Sequence, residues 1–533
     1  MLVWIALLAC APEEPRLPEP EEVTDIDVFP GEITITTGPD GGDSYQFRAE
    51  VTFGDGTVQD LTEAEWVLSN RSVGDIDESG LFVPSNTNGG VTWVTARFDG
   101  VEGRSTVTVL FEDYQNDEGL DISGFGGATP THADFWLYPE DGVALPRNTP
   151  RMTFMWSDMG AQAYRVRFRS TVTNYVIYTA GTSLSVDEDT WENLVATNAG
   201  GTLNVDLAAM SNGTLYEEDP IAITVNRMDT RGTIVYWSTN AQGFMQVPYG
   251  DVASELYTVN QNGHCMGCHV VSSRGTLAYT YDGGNGPLGL WNVNSGSDVI
   301  SFNSGPLGNF KAFSPDGNLL LTTYAGALLL YDANSGAYLS QVPVGRPVAQ
   351  VDWSPDGTRL AVTLTNGHDY DWSTNGGEIA VMEHYGDGQF GAPTIIVPMV
   401  SGYNYYYPAF SPDSEWIAFN RSTGDGYDDP DAEVWVVHAD GASPPVPLTL
   451  ANQTTGLHNS WPRWAPLPDD DVLWIAFSSR RAYGNVVSGV PQLWVTGFDP
   501  ARALVGEDPS WAAFWLPNQD TAQGNHIPVW VDR

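Results

Sequence analysis

From Thr24 to Leu110 apolar and polar residues alternate, as in Ile33-Thr34-Ile35, Tyr45-Gln46-Phe47-Arg48-Ala49-Glu50-Val51 and Val107-Thr108-Val109. A period of two with Gly and Asp between the runs predicts antiparallel strands, because successive strand side chains face opposite sides of a sheet. A second strand-rich region follows a Gly-rich acidic connector from Glu112, with Phe154-Met155-Trp156, Tyr164-Arg165-Val166-Arg167-Phe168, Ile221 to Val225 and Ile234-Val235-Tyr236-Trp237 as its apolar runs. From about Asp251 the pattern repeats. Phe313-Ser314-Pro315-Asp316-Gly317, Trp353-Ser354-Pro355-Asp356-Gly357 and Phe410-Ser411-Pro412-Asp413-Ser414 each follow one short apolar run and precede another. Proline presets the first central residue of a turn and Asp and Gly accept the tight geometry after it, so each copy predicts a hairpin and needs no chemical role. Degenerate copies surround Gly275 and Trp464, and a half-copy, Ile527-Pro528-Val529-Trp530, ends the chain. Turn positions at 275, 317, 357 and 414 are 42, 40 and 57 residues apart, the spacing of propeller blades. Six blades fit, with five and seven as alternatives, the C-terminal half-copy and strands near Glu255-Leu256-Tyr257 closing the ring. The fold class expected is all-β: two sandwiches followed by a six-bladed propeller.

Several of these segments resemble known families. Asp27-Val28-Phe29-Pro30, Phe53 to Thr57, Trp66, Gly80-Leu81-Phe82 and Ser105 to Val109 resemble a group 2 bacterial Ig-like domain, which implies a spacer or adhesive module. The second region looks like a fibronectin type III sandwich, its tryptophans serving as core. The Ser-Pro-Asp-Gly copies, with Asp429 to Trp435 and Phe477-Ser478-Ser479-Arg480-Arg481, resemble the TolB-type β-propeller repeat. The expected domains are therefore 1–23 signal and Pro/Glu tether, 24–111 Ig-like sandwich, 112–134 linker, 135–249 fibronectin III-like sandwich and 250–533 propeller.

Charge and the N-terminus narrow the partners. The 533 residues hold 22 Lys+Arg against 67 Asp+Glu, a net charge of −45, which repels phosphate backbones and makes nucleic acid a poor partner. The one lysine is Lys311, so lysine-based catalysis has almost no candidate. Residues Leu2 to Ala9 are an apolar run too short to span a bilayer. Leu7-Leu8-Ala9-Cys10 resembles a bacterial lipobox, which implies that Cys10 is acylated. This predicts a monomeric, exported lipoprotein of the outer membrane or cell surface, with the periplasm as the alternative, whose acyl anchor engages the lipid membrane.

Cys265-Met266-Gly267-Cys268-His269 carries the most specific chemistry. C-x-x-C-H is the c-type haem attachment sequence, two thiols adding to porphyrin vinyls and the adjacent imidazole ligating iron. The resemblance to cytochromes c implies haem c on Cys265 and Cys268 with His269 as axial ligand, and electron transfer or redox sensing with a redox or surface protein partner. Two alternatives stand beside it: a Cys265–Cys268 disulfide, and zinc completed by His264 and His269. Aligning the repeats places Cys268 level with Trp461 and His526, which makes His526 the first choice for a sixth iron ligand, ahead of His458, Met399 and His264. Two acidic loops, Asp425/Asp428/Asp429/Asp431 and Asp469-Asp470-Asp471, offer oxygen ligands for Ca²⁺, although solvated turns are the better explanation. The competing functional class is a non-enzymatic surface lipoprotein whose propeller binds a protein or glycan. A propeller hydrolase or lyase needs acidic and histidine side chains converging at the funnel.

Overall fold

The computed structural model describes residues 22–127, 129–283, 286–300, 302–366, 373–467, 471–486 and 489–533. The apolar leader, Cys10 and most of the tether lie outside the described residues, as do Asp469 and Asp470. Two units emerge, residues up to Asp113 with Thr171–Tyr175, and Tyr114–Ser170 with Val176–Arg533. Among the described residues no helix is long and apolar enough to cross a membrane.

The first unit is a sandwich. Val23–Phe29, Arg48–Phe53 and Val58–Leu61 form one antiparallel sheet, and Val101–Gln115 pairs in parallel with Glu32–Thr37 and antiparallel with Gly90–Phe98. The alternation read from the sequence sets its core: Phe47, Ala49 and Val51 point inward with Phe82, Val94, Val107 and Val109.

The second unit begins with a strand module. Ala163–Arg169, Gly201–Ser211, Thr214–Glu217 and Ile221–Val225 pair antiparallel, and Trp136–Tyr138, Thr153–Trp156 and Ser183–Ser185 form a second sheet. One element departs from the strand pattern, a helix at Glu188–Thr197. Asp187 caps it by accepting from the Thr190 amide (3.0 Å), and Trp191, Leu194 and Val195, at helical spacing, bury one face.

Six four-stranded antiparallel sheets among the described residues make the propeller. Blade 1 runs from Met266–Val271 through Thr276–Tyr281 and Gly289–Asn292 to Ser297–Ile300; blades 2, 3, 4 and 5 start at Lys311–Phe313, Val348–Trp353, Asn404–Phe410 and Ser460–Trp464. Blade 6 joins the two ends of the unit. The C-terminal strand Asn525–Val531 is its innermost, paired antiparallel with Thr233–Ser238, which continues to Gly243–Pro248 and Ser254–Tyr257. Each innermost strand neighbours the next, and the last neighbours the first, so the ring closes at six. The expected boundary at 249/250 therefore moves. Strands 233–238 and 243–248, read as the end of the second sandwich, belong to blade 6, because the chain's last strand has no partner of its own until they supply one.

The Ser-Pro-Asp-Gly copies are turns, as expected. Asp316 Oδ1 accepts from Ser314 Oγ (2.6 Å) and the Asn318 amide (3.0 Å), and the Gly317 amide closes on Ser314 O (2.8 Å). Gly317 and Gly357 stand at φ +69° and +76°, conformations that disfavour a side chain.

Candidate functional site at the channel mouth

The innermost strands share one irregularity. Pairing slips between Gly267 and His269, Tyr406 and Ala409, and Ser460 and Arg463, leaving one extra residue in each strand. Cys268, Tyr407, Trp461 and Ile527 stand there at φ +30°, +54°, +59° and +55°. Bulges re-aim side chains, and these four point inward. Tyr407 stacks on Trp461 (centroids 3.9 Å apart, 23° between planes), Phe310 packs on both at 5.5 and 5.7 Å, and Ile527 completes an apolar plug that Cys268 and Tyr427 join. The repeat position level with Cys268 and Trp461 is Ile527, which corrects the expected His526 by one residue.

Against the plug the channel holds a void of only about 20 Å³, lined by Cys268, His269, Lys311, Gln350, Tyr407, Trp461 and Arg463 among others. A larger cavity of about 280 Å³ is lined by Trp237, Cys265, Cys268, Tyr281, Asn309 and Tyr427, with Met266, Gly267, Thr280 and Gly283. Cys265 is exposed, Cys268 is half-buried, and both are free thiols. Burial raises the Cys268 thiol above its ordinary value, opposed by the Lys311 ammonium and the Thr280 hydroxyl. Lys311 is itself buried and donates from Nζ to the Cys268 carbonyl at 2.5 Å; desolvation lowers it to about 8.

His269 goes elsewhere. Its ring is 4% exposed, packs on Phe244 at 4.5 Å, and sets Nε2 3.2 Å from the Val235 carbonyl, between blades 1 and 6. Burial depresses it to about 3, and its Nδ1 has no hydrogen-bond partner. His526 is also buried, lowered by desolvation to about 4, with its ring edge-on to Trp461 at 6.2 Å. Its charged neighbours are Asp428, Arg480 and His458, a group tied together by Asp428, which meets His458 Nδ1 at 3.1 Å and accepts from Arg480 Nη2 at 2.6 Å. The two imidazoles share no ring or hydrogen-bond partner. His264 sits 2.5 Å from Asp282 and stacks on Phe302, while Met399 is exposed beside Asn366.

The motif residues are therefore split between two surroundings in this structure. The thiols face the mouth cavity, whereas the His269 imidazole lies between blades 1 and 6 against Phe244 and the Val235 carbonyl. Zinc by Cys265, Cys268, His264 and His269 fails for the same reason, and among the described residues no three His, Cys, Asp or Glu side chains are gathered to hold a metal. Cys265 and Cys268 are not paired with each other in this structure. In the acidic loop the carboxylates are engaged: Asp428 as above, Asp431 with Thr423, and Asp425 with Ser373 and the Tyr427 amide. Burial, reinforced by a hydrogen bond and repulsion from Asp431, raises Asp429 to about 6.

Among the contributors that escaped the sequence reading as site residues are Lys311, Phe310, Tyr281, Tyr407 and Tyr427. A lone lysine inside the apolar run Phe310 to Phe313 was the available signal for the first.

No family model matches the chain. It is 33% identical over 93 residues to the mouse protein NEDD1, spanning 14% of that protein's length. Solved structures similar to it include TolB from Acinetobacter baumannii, with a TM-score of 0.38 and 12% identity over 63% of this chain and 80% of that one. A putative TolB from Agrobacterium tumefaciens gives 0.34 and 17%, over 57% of this chain and 100% of that one. The propeller assignment rests on the chain's own sheet order and on its ring of neighbouring inner strands.

Proposed function

We propose that this chain is a non-catalytic binding protein of the bacterial cell envelope, lipid-anchored through Cys10, whose propeller engages a protein or glycan at the Cys265–Cys268 end of its channel. The observation that carries the reading is the plug. With Phe310, Tyr407, Trp461 and Ile527 closing the channel, a ligand stops at the mouth, where an aromatic rim of Trp237, Tyr281 and Tyr427 surrounds a cavity of about 280 Å³. Aromatic side chains with a polar edge suit such contact surfaces. The Leu7 to Cys10 lipobox supports export.

Haem c on Cys265 and Cys268 is the competing proposal, favoured by two free thiols on one cavity and opposed by the placement of His269. A pyridine haemochrome on protein matured in a cytochrome c maturation host decides between them. Absence of covalent haem, with both thiols open to alkylation, is the expected result, together with loss of envelope-ligand retention in Tyr427→Ala; about one covalent haem per chain overturns the binding reading.

A further inference from the structure

Cys265 and Cys268 are among the residues that line the mouth cavity. Its lining holds no carboxylate and no imidazole, the hard and borderline donors that calcium, magnesium and zinc prefer. Both thiols are free and turn to the same cavity because the bulge at Cys268 breaks the strand alternation that would otherwise send them to opposite sides. Behind Cys268 stands Lys311, the chain's sole lysine, whose ammonium offsets the charge of an ionised thiolate.

We propose that Cys265 and Cys268 bind one soft monovalent cation, of copper(I) type, at the mouth of the propeller. The site rests on the reading of the mouth as the ligand-binding end. Each thiol releases its proton to solvent as its sulfur takes the metal, two protons per cation, and no electron changes hands. Two thiolates satisfy a two-coordinate soft cation, whereas tetrahedral zinc lacks half its ligands here.

The test is an anaerobic copper(I) competition against bicinchoninate, run on the full chain. The expected result is one tightly held copper per chain, retained in Cys10→Ser. Cys265→Ser and Cys268→Ser should each weaken it by more than the roughly 10–100-fold that loss of an outer-shell partner costs. Cys265 is exposed, so its variant keeps the fold, and near-ultraviolet circular dichroism checks both. Bound copper should also shield the two thiols from iodoacetamide. Equal copper retention by wild type and by both variants overturns the proposal, as does stoichiometric zinc binding that the variants lose. If copper fails to bind while Tyr427→Ala still abolishes ligand retention, the cation site alone is wrong and the mouth remains the binding site.

Discussion

Lys311 donates its ammonium proton to the backbone carbonyl of Cys268, one blade away. The bulge that turns Cys268 toward the mouth is thus held by the only lysine in a chain of net charge −45, and that lysine is 4% exposed. A buried cation shifts its proton affinity downward because the charged form loses its hydration.

This gives Lys311 a measurable pH signature. Its folded value of about 8 lies below the ordinary 10.5, so the unfolded chain binds the proton more tightly and stability rises with pH between those values. The contribution is about 3 kcal/mol across that window. In Lys311→Met the rise should vanish, read as the difference in urea midpoint between wild type and variant at pH 8 and pH 10.5.

The two buried histidines act in the acid range. His269 at about 3 and His526 at about 4 are neutral in the fold, whereas an unfolded histidine takes up its proton near 6.5. Stability is present above 6.5 and is lost as pH falls toward 4, by about 2–3 kcal/mol per histidine at pH 4.5. His269→Phe removes an imidazole whose Nδ1 is unpartnered and should flatten its share of that loss, measured by denaturant midpoints at pH 7 and pH 4.5. An unchanged acid slope in the variant would sink the placement of His269 between the blades.

Trp461 stacks on Tyr407 and Phe310 at the centre of the plug. Trp461→Ala should cost about 3–5 kcal/mol, the range for deleting a buried aromatic. It should also open the channel beneath the mouth, seen as increased binding of a hydrophobic dye at temperatures below the melting transition.

The C-terminal strand is the innermost strand of blade 6, hydrogen-bonded to Thr233–Ser238 nearly 300 residues earlier. Deleting Asn525 to Arg533 leaves Thr233–Ser238 unpaired on one side and removes the strand that stands between the inner strands of blades 1 and 5. Loss of the cooperative propeller transition, with the first sandwich's own unfolding preserved, is the expected outcome in calorimetry.

The sequence by itself determined whatever depends on neighbours along the chain. Strands at Tyr45 to Val51 and Val107 to Val109 are legible because inward and outward residues alternate, and the Ser-Pro-Asp-Gly turns because Asp316 and Gly317 satisfy a turn within five residues. Six blades fit the spacing of those turns, with five and seven left open until the closed ring decided the count. Only the tertiary structure decided which way the C-x-x-C-H residues face. A bulge is one extra residue whose cost is met by ring partners far away in sequence, Tyr407, Trp461 and Ile527, so nothing local to Cys268 announces it. The same holds for His269 under Phe244 and for the strands that close blade 6, since both depend on which distant segment arrives alongside.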